Sequence, residues 1–496
     1  MPKAALLLSL LILFSFIPIV SGYYGDEKTF EIKYETQNFD TNIITIDNDF
    51  FSEQQFKRYL IFGNDISKFN FLKNSIYNIK TDNGFFSVAI LPERSIPQLQ
   101  NQGFNLIEDF ALDFHTEKII YDGSRIQKIS GSDESKKFFN VSGNGTVIAI
   151  VDTGVDFSNN DIRHSLARDK NNHPIMLDPD GQGIVLTNST FFAYIDSDDI
   201  IRNYTKSISP HDSSVYVNRD GVFLDIEKNG KGLDIPIYNS FFPAIGEAPI
   251  FYGNISNDMK IGNSNRDYIK SASGIYHLGV MFQGGIDGKY GKVQVVPVLV
   301  TDSYEAGVYD TIIPDMSTSW EDYTKEDLKS GEKPDYDFDF TDEKPIILGS
   351  GNEFLIYDSN GDGKDDYSAG TIGARVLDIY GVIDKTNSES KEPLNFVNGT
   401  LLNPIDPDGN YFGVMTDFMG HGTSSAATIV SRGIESYDLY NDTKKYSITG
   451  VAPDAKILPV KALWFGDTVY AWLWTAGFDN TNSTWKFSGQ PRVDII

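Results

Sequence analysis

The chain opens with an almost unbroken apolar run, Ala4 to Val20, preceded by Lys3 and closed by Ser21-Gly22 ahead of the polar Tyr23-Tyr-Gly-Asp. A cation, a hydrophobic stretch and a small-residue end describe a signal peptide over residues 1–22, and with it export to the cell surface or beyond. A single membrane anchor is the alternative, at the lower limit of about 17 residues for spanning a bilayer. A polar segment fills 23–55. From residue 56 the pattern becomes short alternating runs. Phe56–Phe62, Gly84–Leu91 and Asn105–Phe110 predict strands; Ile66–Tyr77 and Ser95–Gly103 predict helices, the second stopped by its glycine. Residues 56–112 thus read as a small α+β unit, and the polar, Ser/Gly-rich 113–140 as a linker.

Val147–Val151 is a continuous apolar run bounded by turn formers, which suits a strand buried on both faces of a parallel sheet. Ile457–Leu463 reads as a second such strand and Val493–Ile496 as the start of a third, with a helix over Val469–Phe478 between them. Strand, helix, strand implies a right-handed parallel crossover and an α/β domain. A further helix, rich in small residues, is expected over Ser424–Val430. The α/β core is therefore assigned to 141–156 and 416–496, with its sheet incomplete. The intervening 157–415 differs in texture: Asp, Asn, Gly and Tyr surround short β-type runs such as Lys292–Val300 and Phe354–Tyr357. It reads as a mostly β insertion.

Composition narrows the function classes. A net charge of −27 argues against nucleic acid as a partner, because a phosphate backbone needs a basic face. The absence of cysteine removes disulfides, thiolate metal sites and thiol nucleophiles together. Apolar residues at 40% supply real cores and argue against global disorder. Beyond the first 22 residues no segment has the length and apolarity of a membrane span. The surplus of carboxylates either solvates the surface or gathers calcium. Asp358, Asn360, Asp362, Lys364 (through its carbonyl) and Asp366 have the spacing of a calcium loop, with Gly363 at the tight turn. Ala369 stands where an EF-hand carries glutamate, so the segment reads as an EF-like loop or as a plain Asx/Gly turn.

The candidate chemistry rests on two residues. Asp152 ends a buried parallel strand, the rim on which α/β sheets assemble sites. His421 lies between two glycines at the start of the small-residue helix. A serine hydroxyl is a poor nucleophile until an imidazole takes its proton, and that imidazole needs a carboxylate to hold its tautomer. Ile150-Val-Asp-Thr-Gly-Val-Asp156, Gly420-His-Gly-Thr-Ser-Ser-Ala-Ala-Thr-Ile-Val430 and Gly450-Val-Ala-Pro-Asp-Ala-Lys-Ile-Leu-Pro-Val-Lys461 resemble, in order, the Asp motif, the His motif and the following strand of the subtilisin-like serine proteases. The resemblance implies a subtilisin-like parallel sheet flanked by helices, polypeptide substrates, Asp152 orienting His421, and His421 as general base. It also implies that 56–112 is a propeptide inhibiting its own enzyme, with a processing site in 113–140. The long Asp-to-His separation is similar to that of the pyrolysin and tripeptidyl peptidase II branch, as are Tyr309–Asp315 and Asp335–Asp342. Ser424 imitates a nucleophile motif but shares the helix of His421. The family's serine and oxyanion asparagine match no segment here and are expected beyond Ile496, the chain being read as C-terminally truncated. A non-catalytic subtilase fold binding protein or calcium is the alternative.

Overall fold

The structure is a computed structural model that describes residues 56–64, 75–81, 83–112, 123–187, 189–192, 215–225, 233–238, 250–255, 258–285, 294–316, 338–358, 361–363, 365, 367–378, 399–436, 446–481 and 484–496. Compactness divides the chain between Asn38 and Phe39, and everything described belongs to the second unit. The expected signal peptide over 1–22 and the polar 23–55 lie outside the described residues. No helix among the described residues is long and apolar enough to cross a membrane.

The N-terminal sheet is antiparallel. Phe56–Gly63 lies between Gly84–Pro92 and Asn105–Glu108, and Ser75–Thr81 adds to the far side of Gly84–Pro92. Alternation along these strands sorts their side chains to two faces. Tyr59, Ile61, Phe85 and Ala89 pack with Phe104 under the short helix Ile96–Asn101. Leu60, Ile76, Val88 and Ile90 face the other way and bury against Leu458, Val460, Tyr470 and Trp474 of the α/β core. The sheet is thus fused to the core by a shared apolar layer.

Two features of this part of the chain differ from the local reading of its pattern. Tyr77, placed by the pattern at the end of a helix, lies in a strand, because Ser75–Thr81 finds a pairing partner that a helix would forgo. The linker expected over 113–140 contains two helices, Gly123–Ser130 and Ser132–Phe139, joined at Gly131 with a left-handed φ of 72°. Asp133 and Glu134 in the first turn and Lys136 and Lys137 in the last complement the helix dipole, so a polar segment still pays its way as helix. The Gln127 amide donates to the carbonyls of Thr449 and Gly450 at 3.0 and 3.1 Å, tying these helices to the core.

The core sheet runs in the order Thr400–Leu401, Ala374–Asp378, Met176–Asp178, Lys456–Lys461, Val147–Asp152. The last four are parallel, with Val147 opposite Lys456 and Asp152 opposite Lys461. Met176–Asp178 and Ala374–Asp378 come from the stretch assigned above to the insertion; their short apolar runs carry no periodicity that separates them from its other strands. The third strand expected at Val493–Ile496 is reduced to a parallel bridge between Ile495 and Ile148. The following helix spans Phe465–Thr475, starting before Val469 because Trp464 is extended and the chain turns helical directly after it. A hairpin, Phe478–Thr481 with Thr484–Phe487, comes next. The rest of the described insertion is β, dominated by a nine-stranded sheet whose main path runs from Ile346–Ile347 to Ile184–Leu186.

Candidate active site

Asp152 stands at the carboxyl end of its strand, and the turn after it depends on glycine. Gly154 has φ +100°, and a Cβ there would fall 2.1 Å from the Thr416 carbonyl oxygen. The helix His421–Val430 approaches this turn closely because Gly422 also lacks a side chain. A Cβ on Gly422 would lie 1.9 Å from the Gly154 carbonyl oxygen. Gly422, Ala426 and Val430, spaced four apart, form the buried face of that helix. Small residues therefore carry His421, the first helical residue, to Asp152.

The contact is two-pronged. His421 Nδ1 lies 2.7 and 2.8 Å from the two carboxylate oxygens of Asp152. Donation of Nδ1–H to this carboxylate leaves Nε2 as the basic nitrogen. The Asp152 side chain is 11% exposed and that of His421 37%, so the orienting group is buried and the imidazole reachable. The Thr153 amide donates to Asp152 Oδ1 at 2.7 Å, and the Ser425 hydroxyl approaches Oδ2 at 3.4 Å.

A second carboxylate, not singled out from the sequence, binds the Asp turn to the His helix. Asp417 accepts from the Thr153 hydroxyl and the Gly420 amide at 2.7 and 2.9 Å through one oxygen. Through the other it accepts from the Thr423 amide and hydroxyl at 2.8 and 2.6 Å. Thr153 in turn accepts from the Gly422 amide at 2.9 Å. Burial pushes the Asp417 carboxyl above its usual range, against the pull of these four donors. Its position four residues before His421 was the only signal available, and a lone Asp ahead of a glycine reads as a turn.

The other sequence candidates are elsewhere. Ser424 donates its hydroxyl to the Gly420 carbonyl at 2.8 Å, back along its own helix. Asp358 accepts from the amides of Asp362 and Gly363 at 3.2 and 2.8 Å, the arrangement of an Asx-closed turn. Asp362 is exposed, while Asn360, Lys364 and Asp366 lie outside the described residues. Among the described residues no group of three His, Asp or Glu side chains is placed to hold a metal ion.

One edge leads away from the dyad. The Ala462 amide donates to the Asp152 carbonyl at 2.8 Å, and the chain runs on through Leu463, Trp464 and Phe465. Phe110–Leu112 lies antiparallel on this edge: the Leu112 amide donates to the Leu463 carbonyl at 2.8 Å and the Phe465 amide to the Phe110 carbonyl at 3.1 Å.

The model of the subtilase family matches residues 143–483. Pyrolysin of Pyrococcus furiosus is 26% identical over 355 residues, covering 66% of this chain. The aligned region is 19% of pyrolysin, so the chain spans about a fifth of that relative's length. No solved structure matches.

Proposed function

The chain belongs to the subtilase family, and on that footing we propose that it is an exported serine endopeptidase of the pyrolysin-like branch. The observation that carries the reading is the two-pronged contact of His421 Nδ1 with Asp152 at the rim of a parallel sheet. In the proposed reaction Nε2 of His421 takes the hydroxyl proton of a nucleophilic serine. The serine oxygen bonds to the peptide carbonyl carbon, the C–N bond breaks, and the imidazolium gives its proton to the leaving amine. Water then hydrolyses the acyl-enzyme by the same proton route in reverse. Asp152 holds the imidazole in place throughout.

Residues 56–112 act, in this reading, as a propeptide. Two observations support it: the apolar layer shared with the core, and the extended Phe110–Leu112 seated on the edge that leads from the dyad. An added strand is how an extended peptide is commonly held by a sheet edge.

The test is His421→Ala in the full-length protein. Loss of the base lowers peptide hydrolysis by about 10³-fold or more, and the variant no longer processes its own N-terminal segment. Its labelling by a serine-directed fluorophosphonate falls in parallel. Undiminished hydrolysis in the variant would sink the assignment.

A further inference from the structure

The junction between the N-terminal sheet and the core holds a buried arginine. Arg58 donates from Nε to Asp109 at 2.8 Å and from a terminal nitrogen to Asp467. All three side chains are buried. The guanidinium carbon also lies 5.8 Å from the centre of the Trp464 ring, within cation–π range. Beside it the Tyr77 hydroxyl donates to the Gly466 carbonyl. One oxygen of Asp467, Oδ2, is buried with no partner among the described residues.

The two halves of this cluster belong to different parts of the chain. Arg58, Tyr77 and Asp109 come from 56–112. Trp464, Gly466 and Asp467 come from the core, at and directly after the edge on which Phe110–Leu112 pairs. If the N-terminal unit leaves, the core keeps a carboxylate, an aromatic face and a carbonyl acceptor, all without the cation that joined them. Asp467 lies in the first turn of the helix Phe465–Thr475, where the dipole favours a negative charge. A planar guanidinium that can pair with a carboxylate and stack on a ring fits this set better than an ammonium does.

We propose that Trp464 and Asp467 form a recess that selects an arginine side chain of the polypeptide substrate, and that Arg58 fills this recess until the N-terminal unit departs. The inference rests on the propeptide reading above. A substrate strand replacing Phe110–Leu112 on the Leu463–Phe465 edge brings its own side chains past the vacated recess. Arg58 is then a stand-in for the substrate's arginine, supplied from a neighbouring strand instead of from the paired segment.

The test uses the processed full-length protein and fluorogenic peptides in which one arginine is moved position by position, with glutamine and lysine peptides as comparators. At one position arginine raises kcat/KM about tenfold over glutamine, with lysine between, and in Asp467→Asn that ratio falls to about one. Hydrolysis without an arginine preference, or a preference that Asp467→Asn leaves intact, overturns the recess and spares the protease reading. Absence of hydrolysis of every peptide counts against the protease reading instead. A second measurement then decides the recess alone. In the full-length His421→Ala protein carrying Arg58→Ala, ethylguanidinium at millimolar concentration raises Tm, whereas ethylammonium does not. The rise is absent when Asp467→Asn is added. Equal response to both cations, or no response, overturns the proposal.

Discussion

At the scale of single residues, the arrangement of Asp152 and His421 depends on a carboxylate that touches neither reacting group. Asp417 joins the turn after Asp152 to the first turn of the His helix through four donors, two on each oxygen. Replacing either oxygen by an amide nitrogen sets N–H against two donors at once. Asp417→Asn therefore loses two hydrogen bonds and adds a repulsion inside a buried site. The expected outcome is a fall in kcat of about ten- to a hundredfold with a smaller change in KM, because the imidazole is displaced while the edge at Leu463–Phe465 is untouched. A change in KM alone would show that Asp417 serves the substrate edge and not the dyad. The motif around Asp152 and His421 was legible because its residue types are demanded by chemistry. Asp417 was not, because its partners are backbone amides and threonine hydroxyls that only converge in space.

At the scale of elements, the meeting of the Asp strand with the His helix is set by absent side chains. A methyl group on Gly422 would sit 1.9 Å from the Gly154 carbonyl oxygen, a contact no backbone adjustment of a tenth or two relieves. Gly422→Ala is expected to destabilise the protein by about 3 kcal/mol and to abolish proton transfer by lifting His421 off Asp152. Thermal unfolding together with the imidazole Nδ1–H resonance, shifted strongly downfield only while hydrogen-bonded to Asp152, reports both effects. Retention of that resonance with normal Tm would refute the close-approach argument. The small-residue run had announced a tightly packed helix from sequence. The helices at Gly123–Ser130 and Ser132–Phe139 carry no such mark, since a polar, serine-rich stretch has little hydrophobic period, and the Gln127 amide and the Lys136 ammonium anchor them to the carbonyls of Thr449 and Gly450.

At the scale of the whole molecule, the N-terminal sheet and the core share one apolar layer and one buried ionic cluster, and the second makes their association depend on pH. Burial pushes the Asp467 carboxyl up, opposed by the Arg58 guanidinium that pairs with it and reinforced by Asp180 and Asp109. Burial raises the Asp109 carboxyl as well. An exposed aspartate titrates near pH 4, so the docked state takes up protons at a higher pH than the separated state does. Docking accordingly weakens as pH rises above about 4, by up to about tenfold per unit, and levels off once Asp467 is ionised and paired with Arg58. Hydrogen exchange at the amides of Leu112 and Phe465 in the His421→Ala protein, corrected for intrinsic rates, should show protection falling from pH 5 to pH 8. Asp467→Asn should flatten the profile; a slope that persists in that variant would place the titrating group elsewhere. Sequence by itself pointed to a mixed α/β fold, to the strands expected over 147–151 and 457–463 and found at Val147–Asp152 and Lys456–Lys461, and to the motifs that carry Asp152 and His421. Each of these is written locally, in a run of apolar residues or in a short motif whose chemistry admits few substitutes. Only the tertiary structure decided that Met176–Asp178 and Ala374–Asp378 join the core sheet, that Asp417 binds the site together, and that Arg58 meets Asp467 across 409 residues of chain. Those outcomes depend on which surfaces are buried against each other, and burial between distant segments leaves no periodic mark on either.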